Sequence, residues 1–520
     1  YLSYRDAQRF GPDNMMAIVY NRALAAYIAE LLPALGVQNA RIEVFEAFEE
    51  ALRRRHFPDM PETYSDNTPL SVIRFKQHPA ALAMLEQAQQ RLAGELRESI
   101  AAAVQRTPSE TRALEAWDSL AGELLLPRAQ RFAQWVRTPK AILPGLGAFG
   151  DDWLARQRLR KLSDEWPVSP QQAHQWPLAI WSEAFLRKEP LQAALEDQAP
   201  GAFSAGQVAD IHVWALAQYQ RRDDYRAWKQ DGRPAGDEED GPQAQPPEPP
   251  AMDREDDTLL LLLYTRMVGP LRGRRQKPLQ VQHLMIDEAQ DFGPLDLRLM
   301  FGLVQAPPSV TLAGDTSQRM ILHNGFDSWE DVLRHLGLQG TPISPLRIGY
   351  RSTAEIMRFA RAVLGPLADE RPWIPTRKGV PVELFRFTDT GQAAMMLSGA
   401  LRELQRHEPN ANVAIVARYP AQAELFYAGL QKTDIPRVRR VREQDFSFKP
   451  GIEVTDVVQV KGLEFDYVIL IDVDAPTYPD DTASRYLLHI GATRAAHQLW
   501  LMTARAPSPL IPPDIAPRYF

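Results

Sequence analysis

Short runs of apolar residues, separated by polar turns, are the first pattern in the chain. Two of them lie near its start, at Met15–Tyr20 and Arg41–Phe45, and a helical pattern over Ala23–Leu35 separates them. The order strand, helix, strand with short connections predicts a parallel sheet of the α/β kind. Later runs at His283–Ile286 and Ser309–Ala313 predict two further strands.

A second group of apolar runs begins beyond Thr341. These runs predict strands at Val382–Arg386, Asn412–Ala417, Ile452–Val457 and Tyr467–Ile471. Helical patterns lie between them, so a second α/β unit is predicted. We expect the first unit to comprise residues 1–48 and 258–340, and the second to comprise residues 341–520.

The region between the two parts of the first unit has a different pattern. From Phe48 to Trp228 apolar positions recur at helical spacing, which predicts a separate helical insertion over residues 49–233. Eight of the 11 tryptophans lie there. At helical spacing they are interpreted as core residues, with base-stacking platforms as the alternative.

Two segments are predicted after the insertion. Residues 234–257 combine prolines with a cluster of acids, a composition that favours a disordered, mobile linker. A helix is then predicted to begin at Leu259 and lead to Gln280.

Composition narrows the class of protein. Of the 520 residues 45% are hydrophobic and 24% are charged, which is typical of a soluble globular protein. No apolar run is long enough to span a bilayer, and no stretch has the layout of a secretory signal. The chain has no cysteine, which excludes disulfides and thiolate metal sites. A cytoplasmic protein without membrane contact is expected.

Charge bears on nucleic-acid binding. The net charge of −7 argues against a uniformly basic surface but allows a basic groove. A basic cluster is formed by Arg272, Arg274, Arg275 and Lys277. It is interpreted as a solvated face, with contact to nucleic-acid phosphates as the alternative.

Two acids directly follow the strand predicted at His283–Ile286. Asp287 and Glu288 would lie at the carboxyl end of a parallel sheet, where open α/β folds bind ligands. One carboxylate can hold Mg²⁺ while its neighbour positions or deprotonates a water, a division of labour that phosphoryl transfer requires. The alternative is that the acids only solvate a turn or cap a helix.

The acid pair is the first of five segments that resemble motifs II to VI of the UvrD/Rep helicases of superfamily 1. They occur in the order and with the approximate spacing of that family. The segments are Asp287-Glu288-Ala289-Gln290-Asp291, Leu312-Ala313-Gly314-Asp315-Thr316-Ser317-Gln318, Gly349-Tyr350-Arg351-Ser352-Thr353, Lys461-Gly462-Leu463-Glu464-Phe465-Asp466 and Gly491-Ala492-Thr493-Arg494-Ala495.

The resemblance implies a fold and an activity. The fold is α/β, with two RecA-like P-loop-type parallel-sheet domains, a nucleotide cleft between them and a large helical insertion in the first. The activity is that of an ATP-dependent 3′-to-5′ DNA helicase or translocase with a role in DNA repair, acting on single-stranded or partly duplex DNA. ATP and Mg²⁺ are the cofactors it implies.

The resemblance also assigns roles to single residues. Asp287 would bind Mg²⁺, Glu288 would activate water, and Gln318 would sense the γ-phosphate. Arg351 and Arg494 would reach the γ-phosphate from the second unit, where guanidinium groups suit the charge that develops on phosphoryl oxygens. The remaining nucleotide-binding positions that it implies are Asp315, Gly462 and Glu464, the last of these at the ribose.

One expected motif is absent from the sequence. The Walker A box, G-x-x-x-x-G-K-[ST], which holds the β- and γ-phosphates, occurs nowhere in these residues. In the family this box precedes a helix like the one predicted at Tyr1–Phe10, so we expect the chain to start just after it and to be inactive alone. Gly145–Gly150 has G-x-G-x-x-G spacing but no following lysine, and is interpreted as a turn.

Two other functions stay open. The long insertion, together with Leu31–Gly36, is similar to the HelD branch of the family. That similarity implies a nucleotide-switched factor that acts on RNA polymerase or a repair complex. A degenerate pseudo-motor without a working Walker A is the third interpretation.

Overall fold

The structure is a computed structural model that describes residues 5–6, 8–34, 36–37, 40–138, 141–230, 247–321, 324–326, 328–369 and 373–520. The strands are Met15–Val19 (β1), Arg41–Val44 (β2), His283–Ile286 (β3), Val310–Leu312 (β4), Ile348–Gly349 (β5), Ile374–Pro375 (β6), Glu383–Arg386 (β7), Asn412–Ala417 (β8), Val438–Arg440 (β9), Gly451–Asp456 (β10), Phe465–Leu470 (β11), Ala495–Thr503 (β12) and Pro517–Tyr519 (β13). The helices are Arg22–Ala34 (α1), Phe45–His56 (α2), Leu70–Gln77 (α3), Pro79–Val104 (α4), Glu110–Ser119 (α5), Leu125–Arg137 (α6), Trp153–Asp164 (α7), Gln175–Leu186 (α8), Lys188–Gln198 (α9), Ala205–Gln230 (α10), Asp256–Met267 (α11), Pro294–Phe301 (α12), Trp329–His335 (α13), Ala354–Leu364 (α14), Thr390–His407 (α15), Pro420–Gln431 (α16) and Thr482–Ala492 (α17).

The first sheet is parallel and has the strand order β2-β1-β3-β4. All four strands coincide with the runs predicted from the sequence. The central pair joins distant parts of the chain, since Met16 of β1 lies opposite Leu284 of β3. β3 is therefore an inner strand of the sheet, and its carboxyl end lies between β1 and β4. Five of the ten residues of the helix expected at Tyr1–Phe10 lie outside the described ranges.

The second sheet is parallel, with the order β13-β7-β12-β11-β8-β10-β9. Strand β8, near the middle of this sheet, is an almost continuous apolar run, which is typical of a strand covered by helices on both faces. In β8, Ala414 and Val416 pack on one side with α14 and α17, whereas Val413 and Ile415 pack on the other with α15 and α16. The predicted α/β class, with two parallel sheets, is confirmed.

A helical region separates β2 from β3, as the sequence predicts. Its helices share one hydrophobic core with the first sheet, which includes Met16 and Ile286. Most of its tryptophans are core residues: Trp117, Trp135, Trp166, Trp176 and Trp181 are buried. Trp214 and Trp228 are partly buried, and Trp153 is exposed over 70% of its surface.

The expected linker differs from the structure in its last part. Residues 231–246 lie outside the described ranges, but residues 247–257 lie within them, and those from Met252 onward are mostly buried. Asp253 and Asp256 are buried and pair with Lys76 Nζ at 2.6 and 2.5 Å. Asp257 is buried too, and pairs with Arg53 at 3.0 Å. These acids are ordered because buried cations from α2 and α3 compensate their charge.

The helix predicted to lead from Leu259 to Gln280 is shorter than expected. α11 ends at Met267, and Gly269 and Pro270 follow. Gly269 has a φ of 137°, and proline lacks the amide that a helix needs, so the helix cannot continue. Residues 271–279 form a short hairpin instead, with Leu279 N donating to Leu271 O at 2.7 Å.

The glycine-rich segment Gly145–Gly150 is a turn, as interpreted from the sequence. Its carbonyl groups point to side chains of the insertion: Arg112 binds those of Leu146 and Ala148, and Trp135 Nε1 donates to that of Gly147 at 2.8 Å. Carbonyls that converge on a guanidinium group are the opposite of the amides that cradle a phosphate.

Candidate functional site

The carboxyl end of β3 presents two adjacent acids. The chain leaves the sheet at Asp287, and the backbone of Glu288 is left-handed with a φ of 53°. This conformation costs a non-glycine residue about 1–2 kcal/mol. Glu288 N donates to Asp287 Oδ1 at 2.9 Å. The strained turn thus holds both carboxyl groups at the edge of the sheet.

The surroundings of Asp287 oppose its ionisation. Burial raises the pKa of Asp287, and the neighbouring Glu288 carboxylate raises it further, whereas Arg351 lowers it. Two carboxylates placed together in a partly buried setting are stabilised when a cation binds between or beside them.

The turn after β4 is bonded to the turn after β3. Gln290 accepts from Asp315 N at 2.9 Å and donates to Glu288 Oε2 at 2.6 Å. Gly314 is required where the turns meet, because a Cβ there would lie 2.5 Å from Gln290 Oε1. Gln290 was not among the sequence-predicted site residues. The amide fixes Glu288 and Asp315 relative to each other.

Gln318 joins this edge to the second unit. It lies in a short 3₁₀ helix, and its Nε2 donates to Asp315 Oδ2 at 2.9 Å. Its other amide atom, Oε1, accepts from Arg494 Nη2. Gln318 therefore contacts an acid of the first unit and an arginine of the second with one side chain.

Arg494 lies at the junction of α17 and β12 and is almost fully buried. Its Nε donates to Ile490 O and its Nη1 to Leu463 O, both at 3.1 Å. Burial lowers the pKa of Arg494 to about 10, and Arg351 contributes to the decrease, whereas Glu288 opposes it. A nearby anion would stabilise the charged form of this guanidinium group.

Arg351 and Glu464 form an ion pair on the second unit. Arg351 Nε lies 2.5 Å from Glu464 Oε2, and each side chain is a little under half exposed. Arg351 acts electrostatically on both Asp287 and Arg494. The structure thus brings acids of the first unit and arginines of the second to one place.

Gly462 serves the packing of the two units. It has a φ of 78°, and a Cβ there would meet Leu24 of α1 at 3.3 Å. Asn21, just before α1, donates to the carbonyl of the preceding residue, Lys461, at 3.1 Å. The start of α1 therefore rests on the loop between β10 and β11.

Lys461 is a site residue that the sequence did not single out. Its side chain is fully buried and pairs with Asp291 of the first unit. Lys461 Nζ also donates to Gln318 O at 2.6 Å and lies 3.8 Å from Glu288 Oε2. A signal was present, since a lysine inside the apolar run from Val457 to Phe465 needs a buried partner.

Metal binding would depend on few protein ligands. Within the described ranges, no group of three or more histidine and acidic side chains could hold a metal ion. Mg²⁺ commonly binds through one or two carboxylates, with water and phosphate oxygens completing its shell. Asp287 and Glu288 suit that mode and not an all-protein cage.

A comparison with known protein families matches part of the second unit. Residues 451–502 match the family model of the UvrD-like helicase C-terminal domain. The matched range holds β10 to β12 and includes Lys461, Glu464 and Arg494. In this part the chain is similar to UvrD-like helicases.

Two further similarities are more distant. The chain is 25% identical over 246 residues to a protein of Acanthamoeba polyphaga mimivirus named as a putative ATP-dependent DNA helicase. That match covers 43% of this chain, and the chain spans about a third (34%) of the relative's length. A solved structure, the C-terminal domain of a possible DNA helicase from Lactobacillus plantarum, is 22% identical with a TM-score of 0.28. It covers 33% of this chain and 98% of that one.

In the part of the chain that the structure describes, no helix combines the length and apolarity that crossing a bilayer requires.

Proposed function

We propose that this protein is an ATP-dependent DNA helicase or translocase of the UvrD/Rep type that moves 3′ to 5′ on single-stranded DNA. One observation carries the proposal: Gln318 of the first unit and Arg494 of the second are hydrogen-bonded beside Glu288 and Asp315. The acids of the first unit can hold a metal ion, and the arginines of the second unit can hold phosphate oxygens. Together they suit a metal-bound polyphosphate. The similarity of residues 451–502 to a helicase domain supports the same function.

The residues fit ATP and Mg²⁺ in part. The raised pKa of Asp287 and the lowered pKa of Arg494 mark adjacent places that favour a cation and an anion. Asp287 would hold the metal, and Asp315, Gly462 and Glu464 would lie along the nucleotide. Bound Mg²⁺-ATP supplies the phosphoanhydride bond and charge neutralisation. No Gly-Lys-Ser/Thr sequence is present, so these 520 residues lack a P-loop lysine, and we expect them to hydrolyse ATP negligibly alone.

The protein groups would divide the work of hydrolysis. Glu288, held by Gln290, takes a proton from the attacking water. Arg351 and Arg494 offer guanidinium groups to the charge that grows on the phosphoryl oxygens, an effect worth roughly 10³- to 10⁵-fold in rate. Arg351 would have to leave Glu464 to reach the phosphoryl oxygens, and this would free the Glu464 carboxylate for a ribose hydroxyl.

Movement would follow from the contact between the two units. Gln318 contacts both, so a change at the bound phosphate would alter the link that Gln318 makes between Asp315 and Arg494 and, through it, the position of the second sheet. Separating one base-pair step costs about 1.4 kcal/mol on average, which is modest beside nucleotide hydrolysis.

A directional unwinding assay tests this function. We expect the full natural protein, with ATP, to unwind a duplex that carries a 3′ single-stranded tail and not one with a 5′ tail. Glu288→Gln should abolish unwinding, whereas the exposed control Glu330→Gln should not. Unwinding from the 5′ tail would contradict the polarity, and unwinding by Glu288→Gln would contradict the role of this acid.

A second candidate function has an observation of its own. The helical insertion and the first sheet share one hydrophobic core, so the insertion would move with the sheet as a rigid lever. This suits a nucleotide-switched factor that acts on RNA polymerase or a repair complex. Polymerase binding with little stimulation of ATP hydrolysis by single-stranded DNA would favour this candidate over the motor.

A further inference from the structure

The hairpin between α11 and β3 is a rigid, exposed projection; we refer to residues 271–279 as the basic hairpin. Its two ends, Leu271 and Leu279, are buried in the core that the insertion shares with the first sheet. Between them Gly273 N donates to Lys277 O at 2.9 Å, and Gln276 takes a left-handed φ of 57°. The tip is thus fixed by backbone hydrogen bonds on an apolar base.

The tip carries basic side chains and no acid. Arg272, Arg274, Arg275 and Lys277 are all exposed. Within the described ranges, no ion pair joins any of these four residues to an acid. Residues 268–281 contain neither aspartate nor glutamate. Arg272 Nη1 donates to Gln276 O at 2.8 Å inside the hairpin. The exposed charges available to an external partner are therefore those of Arg274, Arg275 and Lys277.

α2 adds positive charge beside the hairpin. Arg55 Nη1 donates to Arg272 O at 3.1 Å, and Arg272 N donates to His56 Nε2 at 3.1 Å. Burial lowers the pKa of His56, and the charges of Arg55 and Arg272 lower it further. The basic hairpin and the end of α2 therefore form one positive surface on a chain whose net charge is −7.

This surface is remote from the candidate nucleotide site. The hairpin leads into the amino end of β3, whereas Asp287 follows its carboxyl end. Four residues of strand separate the two ends, a rise of about 13 Å. A ligand at the hairpin would not compete with one between Glu288 and Arg494.

We propose that the basic hairpin binds the sugar-phosphate backbone of duplex DNA. This inference rests on the proposed function, because it takes DNA as the partner. Guanidinium groups pair with phosphate oxygens through paired N–H donors. The hairpin contains no aromatic residue, and single-strand binding surfaces rely on aromatic rings that stack on bases. Contact with phosphates alone, without stacking, suits the rigid and densely charged duplex.

Binding of a blunt duplex, measured by fluorescence anisotropy without nucleotide, tests the inference. The probe is titrated with the 520-residue chain and with its triple variant Arg274→Gln, Arg275→Gln, Lys277→Gln. We expect a loss of affinity of roughly tenfold or more at low salt, and a log–log salt slope smaller by about 3 for three lost phosphate contacts. The matched control removes three exposed charges from α7, as Arg158→Gln, Arg160→Gln, Lys161→Gln, and should bind nearly as native.

Two results would overturn the inference. One is equal duplex affinity and salt slope for the native chain and the hairpin variant. The other is native binding to single-stranded DNA with none to duplex. Neither result depends on ATP hydrolysis. Failure of the proposed function would instead appear as no DNA-stimulated ATP hydrolysis by the full natural protein while the hairpin variant still loses duplex binding.

Discussion

Lys461 and Asp291 form a fully buried ion pair between the two α/β units. Neither side chain has any exposed surface. Lys461 also binds the carbonyl of Gln318, and burial raises the pKa of Asp291 even though Lys461 lowers it. A buried charge is tolerated only when its partner is present, so this pair fixes how the units meet at the candidate site.

Replacing Lys461 should therefore destabilise the protein strongly. We expect Lys461→Met to lower the free energy of unfolding by about 3–5 kcal/mol, because Asp291 is left buried and uncompensated. Urea unfolding followed by tryptophan fluorescence measures this loss. The double variant Lys461→Met, Asp291→Leu should lose less than Lys461→Met alone. A single variant as stable as the native protein would contradict the structural role of the pair.

ATP hydrolysis should depend on the several N–H donors of the Arg494 guanidinium group and not only on its positive charge. We expect Arg494→Lys to reduce kcat for ATP in the full natural protein by about 10³-fold, because lysine cannot donate to Gln318 and to a phosphoryl oxygen in the same plane. Circular dichroism should show that the variant is folded. Retention of kcat in Arg494→Lys would exclude the proposed role.

Gln318 should connect hydrolysis to DNA. Since its amide bonds Asp315 and Arg494, Gln318→Ala should keep part of the basal ATPase but lose the stimulation by single-stranded DNA, by roughly tenfold. Steady-state hydrolysis with and without a single-stranded oligonucleotide measures both quantities. A variant that is stimulated as strongly as the native protein would contradict this coupling.

Glu49 should make stability dependent on pH. Burial raises its pKa well above the ordinary 4.5, and Asp296 and Asp257 raise it further, although Thr258 donates to it. An acid with a raised folded pKa stabilises the protein below pH 4.5, and this contribution is lost as the pH rises through the folded pKa. Glu49→Gln should thus gain stability relative to native between pH 4.5 and neutral pH.

Thermal midpoints of the native and variant proteins across that range measure the effect. The exposed α4 variant Glu98→Gln is the control and should follow the native protein at every pH. An advantage of Glu49→Gln that grows toward acid would contradict the sign.

The elements that carry the candidate site were predictable because each depends on local sequence. The apolar run before Asp287 predicts a buried strand, and a parallel strand places the next residues at a ligand-binding edge. The ordered motifs place Arg351 and Arg494 in the second unit. Nothing local shows that Gln318 touches Arg494, since these residues are 176 positions apart.

The parts that were not predicted depend on tertiary pairing. Asp253 and Asp257 lie in an acid-rich segment that indicates disorder, but Lys76 and Arg53 are brought to them by the fold. The Lys461–Asp291 pair joins residues 170 positions apart. The predicted continuation of the helix beyond Met267 was wrong for a local reason: Gly269 and Pro270 are a stop signal that the sequence already contains.

ATP hydrolysis by the full natural protein, with and without single-stranded DNA, tests the central claim that both units form one catalytic site. We predict that DNA stimulates hydrolysis, that Glu288→Gln and Arg494→Ala each abolish it, and that the double variant is no slower than either single variant. Hydrolysis that persists in both single variants would show that the acids of the first unit and the arginine of the second do not act on one nucleotide.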